Sequence, residues 1–105
     1  MRRYASLRRR GEFARLRQRG RRYSAAALTI YRAEPLRGDQ KSVVGITVGK
    51  PVGKAVIRNK VRRRVAAALQ HLLAGRRLRL LVIARPGAAL APFAQLRNEL
   101  ERALV

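Results

Sequence analysis

From Gly53 to Gly75 the chain places apolar side chains at helical intervals: Ile57, Val61, Val65, Ala68, Leu69 and Leu72 fall at i, i+4, i+8, i+11, i+12 and i+15. This spacing follows a 3.6-residue turn. It predicts a helix from about Lys54 to Ala74, with one stripe facing a core and Gly75 as its stop. The rest of that helix is constrained more unusually. Arg58 and Arg62 edge the stripe, Asn59 and Arg63 continue around the polar side, and no acid occurs between Asp39 and Glu99 to relieve them. Like charges one turn apart weaken an isolated helix by roughly 0.2–0.5 kcal/mol per pair. A solvated basic face is the commoner use of a charge run, but such faces usually mix signs. One sign plus an amide points instead to an external polyanion, the footprint of a nucleic-acid-binding helix.

The whole chain shares that bias. Its 26 basic and 5 acidic residues give a formal charge of +21 over 105 residues. A chain so charged repels itself without counter-ions, which implies a polyanionic partner. Of the basic residues, 22 are Arg and 4 are Lys. Arg presents a planar fork to phosphate and stacks on bases, which suits structured RNA; a genome or temperature bias toward Arg and Ala would give the same count. The length allows one modest core and no second domain. Without cysteine there are no disulfides or thiolate metal sites, and the redox compartment stays open. No apolar run approaches the roughly 18 residues of a membrane span. No apolar segment follows the N-terminal charges as it would in a signal peptide, so the expected location is the cytoplasm.

Residues 1–9 carry four Arg and almost no core-forming side chain, and read as a flexible basic arm ahead of a domain at 10–105. A short helix, Arg10 to Arg19, shows an apolar edge at Phe13 and Leu16 and a stop at Gly20. Ser24 to Arg32 reads as a strand, and Glu34 to Gln40 as a polar, turn-rich loop. In a second strand, Ser42 to Gly49, bulky Val44, Ile46 and Val48 alternate with Val43, Gly45, Thr47 and Gly49. The small residues either leave room for a ligand or helix to approach the sheet, or merely mark bulges and strand ends. Leu78 to Arg85 resembles a strand buried on both faces. The last segment, Leu90 to Leu104, is amphipathic, with Phe93, Leu96, Leu100 and Leu104 on one side. The expected class is therefore α+β, a single domain in α-β-β-α-β-α order, with helices on a small mixed sheet and room for one further short strand around Pro35.

Catalytic groups are scarce. His71, the only histidine, has no triad or metal-ligand partner near it in sequence, and Glu99 and Glu101 point to different faces of their helix. Glu12, Glu34 and Asp39 each occur alone, so no spacing suggests a two-metal carboxylate site. The run Gly45 to Lys50 lacks the Gly-Lys-Ser/Thr ending and following helix of a phosphate loop.

One stretch matches a known pattern. Gly53-Lys54-Ala55-Val56-Ile57-Arg58-Asn59-Lys60-Val61-Arg62-Arg63 resembles the signature of the bacterial ribonuclease P protein family, G-x-A-V-x-R-N-x-[IV]-[KR]-R on a helix. Glu12-Phe13 with Gly20 resembles that family's first helix, and Val44 to Val48 and Leu81 to Arg85 resemble the strands flanking the motif. The resemblance covers about residues 8–104.

The resemblance implies an RNA-binding subunit of a ribozyme. In this family the RNA subunit cleaves the 5′ leader from precursor tRNA by metal-assisted hydrolysis, and the protein assists substrate and metal binding. By position, Arg58, Asn59, Lys60, Arg62 and Arg63 would touch the RNA subunit, while Phe13, Arg17, Tyr31, Thr47 and Lys50 would line a cleft for the single-stranded leader. Unpaired bases stack on aromatic rings over a basic floor; core packing is the other use open to Phe13 and Tyr31. No catalytic or metal-binding residue is implied, magnesium being held mainly by RNA, and no membrane or protein partner. The resemblance also implies an uncommon left-handed β-α-β crossover around the motif helix. Three positions depart from the pattern. Arg17 stands where a second aromatic is frequent, Ala66 where a basic residue is common, and Lys50-Pro51 where two lysines are usual.

Overall fold

The computed structural model describes residues 2–105. The three expected helices form as α1 (Arg10–Arg19), α2 (Ala55–Leu72) and α3 (Phe93–Ala103). The strands are β1 (Tyr4–Ser6), β2 (Arg21–Ser24), β3 (Leu28–Ala33), β4 (Ser42–Thr47) and β5 (Arg79–Ala84), in the sheet order β1-β4-β5-β3-β2. β1, β4 and β5 run parallel, while β3 and β2 are antiparallel to their neighbours. The class is α+β with a mixed sheet, as expected. Two strands were not foreseen.

The first corrects the reading of residues 1–9 as a flexible arm, since Tyr4–Ser6 pair with Ser42–Val44 at one edge of the sheet. Tyr4 is buried in the main core and Leu7 in a second cluster with Leu16 and Leu81. Two apolar residues among arginines are too few to show a period. The second arises because Arg21 to Ala33 forms a hairpin, β2 and β3, where a single strand from Ser24 to Arg32 was expected. Its bend is made from far away: the buried Glu99 carboxylate of α3 accepts the backbone N–H groups of Ala27 (3.1 Å) and Leu28 (2.9 Å). The loop around Pro35 stays a turn, with the Leu36 N–H donating to Asp39 Oδ2 at 2.8 Å and Gly38 at φ 95°.

The sheet separates two apolar layers. On one face α2 and α3 cover Leu28, Ile30, Val44, Leu80 and Val82 with Val61, Val65, Leu69, Leu96 and Leu100. Each fully buried Leu or Val side chain contributes about 1.5–3 kcal/mol of transfer free energy. On the other face α1 lays Leu16 and Phe13 over Leu81, Val43 and Ile83. β5 is thus buried on both faces, as its unbroken apolar run predicts. The small residue in β4 makes room for a helix rather than a ligand. A Cβ built on Gly45 would lie 2.6 Å from Phe13 Cε2 and 2.8 Å from Leu7 Cδ1.

Two stripe positions fall short of the core. Ile57 is 38% exposed and packs back on Gly53. Phe93, at the first position of α3, is 40% exposed. Arg64 ties α2 to the segment just before α3 by donating to the Ala91 carbonyl at 3.2 Å.

Candidate nucleic-acid interface

α2 presents its basic face without neutralisation. Asn59, Lys60, Arg62 and Arg63 are exposed, and the Arg62 guanidinium donates to Asn59 Oδ1 at 3.0 Å, so amide and fork are held side by side. Arg58 is half-buried, and its Nε is shielded from solvent with no hydrogen-bond partner. Such a donor is costly to leave unmade. The helix start adds to the positive potential: Lys54 at the N-cap supplies no capping side chain, and the first turn contains no acid. Its free N–H groups and the macrodipole both favour an anion there. Val56, 79% exposed, adds an apolar spot beside these groups.

Of the five residues expected to bind the leader, Tyr31 and Thr47 are brought to the opposite face of the sheet by strand register. Tyr31 pairs with Leu81, which pairs with Gly45; one step along, Thr29 pairs with Ile83, which pairs with Thr47. Tyr31 and Thr47 therefore share a face on either side of β5, about 12 Å apart, two strand spacings across and two residues along. The Phe13 ring lies over Gly45, two residues from Thr47 on that face. Arg17 is exposed one turn after Phe13 on the same helical edge. Lys50 is exposed in the single 3₁₀ turn, Lys50–Val52, that leads from β4 toward α2. Phe13 and Tyr31 are each packed against the Leu7–Leu16–Leu81 cluster, which is the core use, and each stays only partly buried.

The acids are arranged for structure. Asp39 binds Arg79 through both oxygens, at 2.9 Å and 3.0 Å, and Glu12 lies 3.7 Å from the same guanidinium. The bond from Arg79 holds the Asp39 carboxyl below its usual value against partial burial, and the same bond, with the Asp39 charge behind it, raises Arg79 in turn. The Arg8 backbone N–H, followed by that of Arg9 and the charge of Arg79, holds Glu12 low. No three His, Cys, Asp or Glu side chains come together as a metal site among the described residues.

A family model described as Ribonuclease P matches residues 1–105. The chain belongs to that family. It is 38% identical over 104 residues to the ribonuclease P protein component of Acidothermus cellulolyticus, covering 93% of this chain and 83% of that one. With the component from Chloroflexus aggregans it shares 42% identity over 108 residues, covering 99% and 78%. The fold matches the RNase P protein of Staphylococcus aureus with a TM-score of 0.83 at 25% identity, over 94% of this chain and 91% of that one. The Thermotoga maritima RNase P protein shares the fold at a TM-score of 0.78, with 24% identity and 94% of each chain covered.

Within this family fold, the α2 motif was legible from helical spacing alone. The hub at Arg79 was not: Glu12 and Asp39 look isolated in sequence, and only the placement of α1 and the 34–41 loop beside β5 joins them. No helix is long and apolar enough to cross a membrane among the described residues.

Proposed function

We propose that the chain is the protein subunit of a bacterial ribonuclease P, binding the catalytic RNA through α2 and the 5′ leader of precursor tRNA through the cleft beneath α1. One observation carries this reading. The cleft and the basic helix start are on opposite faces of the sheet but meet at one end of β4, where Thr47, Lys50, Lys54 and Arg58 follow one another along the chain. A leader leaving the cleft at that end would arrive where α2 grips the ribozyme. The bases stack on Phe13 and Tyr31, while Arg17 and Lys50 follow the phosphates. Arg58, Arg62 and Arg63 neutralise backbone of the RNA subunit, with Asn59 as a directional partner and Lys60 adding charge.

In this reading the RNA carries the chemistry. Magnesium is bound mainly by RNA phosphates, and the protein promotes its binding by holding substrate and ribozyme together and lowering their repulsion. The names of the relatives support the subunit role, and the one-signed surface supports RNA as the partner.

The test is cleavage of a precursor tRNA at low magnesium by the cognate ribonuclease P RNA, with and without the protein. Stimulated release of the leader at the mature 5′ end is the expected outcome. No stimulation despite tight RNA binding would reduce the chain to a general RNA-binding protein. Cleavage without any RNA subunit would overturn the division of labour.

A further inference from the structure

At the end of α2 away from Arg58, a groove of about 830 Å³ gathers five cations from three stretches far apart in sequence. Arg2 and Arg3 precede β1, Lys41 precedes β4, and Arg76 and Arg77 follow α2. No acid lines this groove.

How these side chains are held distinguishes them from arginines that stabilise a fold. Arg79 is matched by two carboxylates. In the groove the anchors are neutral. The Arg2 guanidinium stacks 5.0 Å over the Tyr4 ring and donates to Ser6 Oγ at 3.1 Å, and Lys41 Nζ donates to the Arg2 carbonyl at 3.3 Å. Arg76 donates to the Leu104 carbonyl at 2.8 Å, and Arg77 to the Asp39 carbonyl at 3.0 Å. The Asp39 carboxylate, which feels the charge of Arg77, is taken at both oxygens by Arg79. The Arg3 N–H donates to Gln70 Oε1 at 2.8 Å and fixes the start of β1 against α2.

A guanidinium has five N–H donors and an ammonium three. One bond to a carbonyl therefore orients the group and leaves its charge and most of its donors for a ligand outside the protein. The C-terminus of α2 adds about half a negative charge, too little to turn an anion away from five positive groups.

We infer that this groove is a second backbone-phosphate site for the ribonuclease P RNA, an inference that rests on the function proposed above. The 18 residues of α2 then act as a strut of about 27 Å gripping one RNA at both ends. The RNA subunit is favoured over the substrate because the groove is built partly from α2 through Gln70, and from its C-cap Leu73, whereas the proposed leader site lies on the α1 side of the sheet.

The experiment compares the whole protein with Arg3→Ala/Lys41→Ala/Arg77→Ala, and with Arg3→Lys/Arg76→Lys/Arg77→Lys as the charge-preserving control. Binding to the cognate RNA subunit is measured as a function of salt, with hydroxyl-radical footprinting of that RNA. The alanine variant should flatten the slope of log K against log salt by about two to three, near one for each phosphate no longer neutralised. The lysine variant should keep the slope. The alanine variant should also expose an RNA segment different from the one exposed by Arg62→Ala/Arg63→Ala. An unchanged slope, a flattened slope in both variants, or exposure of the same segment would overturn the inference, as would a slope change seen only with precursor tRNA. Failure of the functional reading would show separately, as a wild-type protein that does not stimulate cleavage.

Discussion

Gly45→Ala couples the core to the cleft in a way that can be measured. The added methyl would stand 2.6 Å from Phe13 Cε2 and 2.8 Å from Leu7 Cδ1, where carbon atoms settle at about 3.5–4.0 Å. Both neighbours are side-chain ends, so the ring is pushed off the sheet by about 1 Å while the strand stays in place. Overpacking of this kind costs about 1–3 kcal/mol, and replacing Gly by Ala returns about 0.4–1 kcal/mol by restricting the unfolded chain. The net loss is about 1–2 kcal/mol, or a Tm lower by roughly 4–16 °C for a domain of this size. In a Phe13→Ala background the ring contact is gone and only the flexible end of Leu7 must give way, so the same methyl should cost about 1 kcal/mol less. A double-mutant cycle by urea unfolding would read a coupling near 1 kcal/mol. Simple additivity would refute the claim that the Phe13 ring fills the space above Gly45. The same variants test the cleft: Gly45→Ala and Phe13→Ala should each weaken binding of substrates with long leaders and leave a leaderless substrate unchanged. Equal losses for both substrates would mean that Phe13 serves only the core.

Three further outcomes follow from other contacts. Glu99→Ala strands two buried N–H groups, at Ala27 and Leu28, and should cost about 2–4 kcal/mol, with Glu99→Gln costing clearly less; equal losses in chemical denaturation would remove the acceptor role. Glu12 and Asp39 both have lowered values in the folded state, so the stability they contribute with Arg79 is complete above about pH 5 and is lost as pH falls through those lowered values. Arg79→Met should therefore narrow the stability difference between pH 7 and pH 3, and an identical acid loss in both proteins would contradict the pairing. Finally, Arg58→Ala with Arg62→Ala should flatten the salt dependence of RNA-subunit binding by up to about two, and no change would place both side chains in solvent.

What the sequence discloses depends on how local each determinant is. The bounds of α1 are visible because Phe13, Leu16 and the stop at Gly20 lie within one short segment, and β5 is visible because its apolar run needs no partner to identify it. The break between β2 and β3 is invisible because its cause, Glu99, is 72 residues from Ala27. β1 is invisible because its two core contacts, Tyr4 and Leu7, reach different layers and show no repeat. Ile57 obeys the helical period yet stays 38% exposed, a fact of placement rather than of pattern. The basic face of α2 could be drawn on a helical wheel. The shared face of Tyr31 and Thr47 could not, since it follows from the pairing of β3 and β4 with β5; it was expected only through the family resemblance.

The position of β5 also governs when this protein can fold during synthesis. β5 is the central strand, paired with β3 on one side and β4 on the other, yet it comes after both of them and after α2 in the chain. Until Arg79–Ala84 leave the ribosome, β4 and β3 have no common neighbour and the two apolar layers have no floor. β1 also waits for its partner β4, since Tyr4 pairs with Ser42. Closing such long loops before any contact rewards them slows assembly. A nascent chain of this family member should therefore remain protease-sensitive and exposed to surrounding RNA through most of its elongation, and then collapse in one late step.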